Sequence, residues 1–128
     1  GAAVLRSPAA AAQAAALSLI LWGVDAVLYW AAAHALGLHG LMDYPRAVLT
    51  LSWAAAGSAI PAAPGAIGTF EALVASILAK LGAGPESAFA YALVVHMVTY
   101  LLVTVTGLVC LSREGVSLAQ LSEEVERR

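Results

Sequence analysis

Pro61-Ala62-Ala63-Pro64-Gly65-Ala66-Ile67-Gly68-Thr69-Phe70-Glu71 decides how this chain folds. Apolar, helix-forming stretches stand on both sides of it, residues 47–60 before and 69–81 after. No continuous helix crosses it comfortably, because each proline removes a backbone donor and clashes with the preceding turn. The glycines open backbone conformations closed to other residues. As helices the two flanks measure about 21 Å and about 20 Å, each short of the roughly 30 Å hydrocarbon core of a bilayer. Together they read as a broken or re-entrant helix pair with PAAPGAIG at its tip. Irregular backbone at membrane depth survives only where protein or water satisfies its polar groups, and in transporters such broken elements often form the substrate site.

Two longer apolar segments flank this pair. Residues 9–36 carry a single charge, Asp25. As a helix they reach about 42 Å, enough to cross with tilt or an overhanging end. Ser7-Pro8 suits the start and Gly37 the C-terminal cap. Residues 37–46 read as a loop, marked by two glycines, Asp43 and Pro45. After the pair, Gly84-Pro85-Glu86 is a helix start, and residues 87–112 hold no formal charge unless His96 is protonated. Arg113 ends the run. The expected fold is all-α: two full transmembrane helices plus the broken pair over residues 1–113. A tail, 114–128, follows as a cytoplasmic amphipathic or disordered segment, with Ser117 and Gln120 at capping-box spacing.

Composition supports a membrane domain. Of 128 residues, 62% are apolar and 11% charged, and the mean hydropathy is +0.88. A small soluble domain must cover a large surface with polar groups, which this content does not supply. Six Lys/Arg against eight Asp/Glu leave no basic patch for nucleic acid. The single Cys110 excludes an internal disulfide and reads as a small buried residue. No cofactor or metal site is expected, since His34 and His39 have no carboxylate at ligand spacing. With two crossings and a hairpin, Arg6, Arg113, Arg127 and Arg128 fall on one side, Arg46 and Lys80 on the other. That bias puts both termini in the cytoplasm.

The residues able to carry chemistry are few. A glycine-rich loop feeding a helix N-terminus can receive an anion, since the first N–H groups lack partners and the dipole is positive there. Pro64, Gly65, Gly68 and Thr69 form that loop. Glu71, in the first turn, either is the internal anion that satisfies the terminus or attracts a cationic headgroup. The bland alternative is a proline kink with a capping carboxylate. Asp25, mid-span, is either a relay group or a structural partner to a neighbouring helix. His96 shares a face with Thr99, Tyr100, Val103 and Gly107, which makes it a headgroup or proton contact, or a satisfied interhelical histidine.

At IPAAPGAIGTFEA, followed by His96 in ALVVHMVTYLLVTVTGL, the chain resembles the lysylphosphatidylglycerol synthase transmembrane family, also called the flippase-like integral membrane domain. Pro61, Pro64, Gly65, Ile67, Gly68 and Glu71 match the family pattern, and Ala66 stands where a second glycine is commoner. Trp22 to Asp25 and Gly37-Leu38 are weaker markers. The resemblance covers roughly residues 15–112. It implies the C-terminal part of a longer domain whose upstream helices, or a second copy, complete the cavity. It also implies a non-enzymatic role in the cell membrane, moving lipids between leaflets. The leading expectation is a lipid flippase domain for phospholipid or lipid-phosphate headgroups. Pro64, Gly65, Gly68, Thr69, Glu71, His96, Tyr100 and Asp25 are its substrate-binding candidates. The alternatives are a non-transporting scaffold for a cell-envelope enzyme, docked through the tail, and a small ion-coupled transporter resting on Asp25.

Overall fold

The structure is a computed structural model that describes residues 7–58 and 64–113. The described residues form four α-helices: α1 (Pro8–Ala35), α2 (Tyr44–Ser58), α3 (Thr69–Lys80) and α4 (Pro85–Arg113). A single 3₁₀ turn, Pro64–Ala66, precedes α3. No strand occurs among the described residues. α1 and α4, of 28 and 29 residues, are long and apolar enough to cross a membrane. α2 and α3, of 15 and 12 residues, are the two halves of the broken element. The segment 114–128, with its expected amphipathic helix, lies outside the described residues, as does Pro61.

The helix ends follow local chemistry. Ser7 caps α1, its hydroxyl accepting from the Ala10 N–H at 3.4 Å, with Pro8 in the first turn. Gly37 takes φ +74° just past the end, a conformation that suits glycine. α2 begins at Tyr44, three residues earlier than the expected Ala47. The reason is Asp43, whose Oδ1 accepts from the Arg46 N–H at 2.9 Å. Pro45 then falls in the first turn, where a missing N–H costs nothing. Arg46 braces the same corner. Its Nη1 donates to the Leu41 carbonyl at 3.1 Å and its Nε lies 3.8 Å from Asp43 Oδ2.

The chain divides into two compact units, up to Val95 and from His96 onward. In the first, the core is built on small residues at helical spacing. Ala26 and Ala33 flank Tyr29 on α1; Ala47 and Ala54 flank Leu51 on α2. Small side chains let helix backbones approach where lipid offers no hydrophobic drive between helices. Gly57 takes this furthest: a Cβ there would run into the side chain of Leu73 on α3. Lower on the same pair, Lys80 Nζ sits 5.7 Å from the centroid of the Trp53 ring. Pairing 57 with 73 and 53 with 80 makes α2 and α3 antiparallel.

Two tyrosines tie helices together through main-chain carbonyls. The buried Tyr91 hydroxyl of α4 donates to the Tyr29 carbonyl of α1 at 2.8 Å. The Tyr44 hydroxyl donates to the Gly23 carbonyl at 3.1 Å. Most of the N-terminal half of α1, including Leu19 and Leu21, is exposed. In the second unit the described residues are the remainder of α4. His96 is buried there, and from Tyr100 to Cys110 every residue is exposed. Cys110 is therefore not the buried residue expected of it. Among the described residues of its unit it stands on a single helix.

Tyr91→Phe removes a buried hydrogen bond and should cost about 1 kcal/mol. Tyr44→Phe, at an exposed position, should cost a few tenths at most. Thermal unfolding of both variants in the same detergent micelle checks the order.

Candidate functional site at the helix break

Between Pro64 and Glu71 the backbone turns left-handed three times. Gly65 has φ +72° and ψ +14°. Ala66 has φ +55°. Gly68, the N-cap of α3, has φ +89° and ψ −49°. The first two lie in or near the left-handed helical region, which costs an L-residue about 1–2 kcal/mol. Gly68 lies near the conformation of a γ-turn that is rare and strained for side chains. Gly68 must be glycine on backbone grounds alone, since an added Cβ would meet nothing within 4 Å.

Such a turn frees backbone polar groups, and the first turn of α3 takes two of them back. The Gly68 N–H donates to Glu71 Oε2 at 2.7 Å. The Thr69 hydroxyl donates to the Ala66 carbonyl at 3.0 Å. The first contact is half of a capping box: the third residue of the helix reaches back to the N-cap N–H, and glycine has no side chain with which to reciprocate. Glu71 is buried, only 4% exposed. Its carboxylate sits at the positive end of the helix dipole, a placement worth up to about 2 kcal/mol when partly buried. The α3 N-terminus thus already holds an anion of its own.

Beside this turn lies a groove of about 380 Å³, lined by Ile67, Gly68, Glu71 and Ala72 with Phe89 and Leu93 from α4. Phe89 and Leu93 carried no mark in the sequence, being two apolar residues in an apolar helix. The contiguous candidates Pro64, Gly65, Gly68, Thr69 and Glu71 come together at the break. Gly65 is exposed and Thr69 half-buried. Asp25 is exposed on α1 and is not among the residues lining the groove. His96 and Tyr100 belong to the second unit, the first buried and the second 56% exposed.

The family model described as the lysylphosphatidylglycerol synthase TM region matches residues 2–107. The chain belongs to this family. It is accordingly an integral membrane protein, and the apolar surfaces of α1 and α4 are those of a membrane domain. No curated protein and no solved structure matches the chain. Ala66, which stands where a second glycine is commoner in the family, occupies a left-handed position. Its methyl group packs on the core, half-buried.

That packing sets the expected effect of substitutions here. Gly68→Ala should destabilise by about 1–3 kcal/mol, the usual cost of a sparsely populated backbone conformation. Ala66→Gly should be close to neutral. Relief of about 1 kcal/mol of left-handed strain is offset by loss of about 0.8 kcal/mol for the buried methyl. Unfolding midpoints of the two variants in detergent would separate them; equal midpoints would contradict the assignment of strain to Gly68.

Proposed function

We propose that the chain is part of a lipid-translocating membrane domain, in which the α2–α3 element with its broken tip forms one wall of the headgroup path. Membership of the family carries this reading. The family is named for a synthase of lysylphosphatidylglycerol, a lipid with an anionic phosphate and a cationic aminoacyl group. The tip suits both charges. The Gly65–Thr69 amides face the phosphate, and Glu71 faces the ammonium.

The Glu71–Gly68 contact gives the proposal a mechanism. An arriving phosphate takes the place of the carboxylate at the Gly68 N–H, and the released carboxylate pairs with the cationic end of the same lipid. One charge-assisted hydrogen bond replaces another, each worth about 1.5–3 kcal/mol. Net charge at the helix terminus is preserved and the exchange is nearly balanced. Headgroup contacts are assigned also to Asp25 in the first unit and, independently, to His96 and Tyr100 in the second, with further helices of the same protein or of a second copy completing the cavity. The chain's part is transport rather than synthesis, in the cell membrane, with both termini cytoplasmic.

The test is a leaflet-accessibility assay on the full-length protein in liposomes holding labelled anionic, zwitterionic and aminoacylated lipids. Protein-dependent movement of one class is expected, slowed about tenfold by Glu71→Gln, equivalent to losing roughly 1.4 kcal/mol. Movement of no lipid by folded protein would end the proposal. Unchanged rates in both Glu71→Gln and Gly68→Leu would remove the site from the tip.

A further inference from the structure

We propose that His34 and His39, at the corner after α1, form a two-imidazole site for a divalent transition-metal ion of the zinc and copper class. The inference goes beyond the lipid reading above and does not depend on it. Three observations carry it: a turn that brings the two rings together, a hydrogen bond that fixes one of them, and a ring spacing that a shared ion spans.

The turn comes first. Residues five apart on a continuous helix point about 140° away from each other and share no ion. Here the helix stops between them. The Gly37 N–H donates to the His34 carbonyl at 3.2 Å, and the Leu38 N–H to the Ala33 carbonyl at 2.8 Å. Gly37, with φ +74°, turns the chain back on itself, as left-handed residues do at helix ends. His39 is thereby carried back beside the last turn of α1. Its ring centroid lies 6.1 Å from that of His34.

Two contacts hold His34. Its Nδ1 lies 2.9 Å from the Trp30 carbonyl oxygen. A carbonyl oxygen only accepts, so Nδ1 carries the hydrogen. In the neutral ring the lone pair then sits on Nε2. Histidines that ligate metals have this arrangement, with the other ring N–H given to a carbonyl or carboxylate. The Trp30 ring, 4.2 Å away between centroids, limits rotation of the imidazole. The dipole of α1 adds partial negative charge at this end, which favours a cation.

The spacing fits. A zinc–nitrogen bond of about 2.0–2.1 Å, with roughly 1.1 Å from nitrogen to ring centre, puts the ion about 3.2 Å from each centroid. Two rings that share it stand about 5.2 Å apart at the tetrahedral angle and at most about 6.4 Å apart. The observed 6.1 Å lies inside this window. His39 is exposed, so rotation of its side chain can close the rest. No third His, Cys, Asp or Glu joins the pair among the described residues, and water completes the shell. Imidazole nitrogen suits zinc, copper and nickel, whereas magnesium and calcium require oxygen ligands.

The experiment titrates the tag-free full chain in detergent micelles with Zn2+, Cu2+ or Mg2+, followed by calorimetry in a buffer without phosphate or chelator. One Zn2+ per chain is expected, with Cu2+ bound more tightly and Mg2+ not bound. His34→Ala and His39→Ala each remove one ligand at an exposed position, and each should weaken Zn2+ binding at least tenfold in protein whose circular dichroism is unchanged. Zn2+ binding that survives both substitutions overturns the proposal by placing the ion elsewhere. Weakening by only one of them reduces the site to a single surface histidine and overturns it too. Absence of binding at millimolar Zn2+ does the same.

Discussion

Peptide groups that leave a helix inside an apolar medium must find partners, and that constraint governs the break between α2 and α3. An unsatisfied N–H or C=O costs several kcal/mol where water is absent. The chain answers from within its own next turn: Glu71 accepts from Gly68, and Thr69 donates to Ala66. The same constraint explains why Gly68, rather than an alanine in this alanine-rich chain, sits at the N-cap. Its φ of +89° aims the N–H back at the carboxylate. Replacing Gly68 or Glu71 breaks the first contact, and replacing Thr69 breaks the second.

Close packing supports the turn. Gly57 lets Leu73 lie against α2, and small residues on α1 and α2 bring those helices together. The Tyr91–Tyr29 bond then fixes the first part of α4 to α1. That part of α4 brings Phe89 and Leu93 alongside the tip. The groove is thus a by-product of where a tyrosine finds its acceptor.

Much of this was legible in the residues. Pro8 and Pro85 mark helix starts, Gly37 a stop, and the proline–glycine run a break, because each acts through its own backbone within a few positions. The start of α2 was not. Pro45 reads as a breaker, and only Asp43 capping the Arg46 N–H turns it into an acceptable first-turn residue. Of the site, the contiguous run from Pro64 to Glu71 was visible since its chemistry is local. The groove walls were not, because apolar residues in an apolar helix look alike and the fold alone selects Phe89 and Leu93. Tyr91 and Tyr29 are 62 positions apart and share no pattern. The exposure of Cys110 likewise depends on what surrounds α4, about which its own neighbours in sequence are silent.

The antiparallel return of α2 and α3 has a consequence for how such a domain varies. Trp53 and Lys80 meet at one level of the pair, so α3 runs back along α2 toward the end from which the chain entered. Whatever happens at the far end does not alter the side on which α4 begins. Residues may be added to, removed from or exchanged in the tip without inverting any flanking helix. A through-going span, lengthened or broken in the same way, would risk reversing everything after it. The sequence of this turn can therefore drift while the threading of the chain stays fixed.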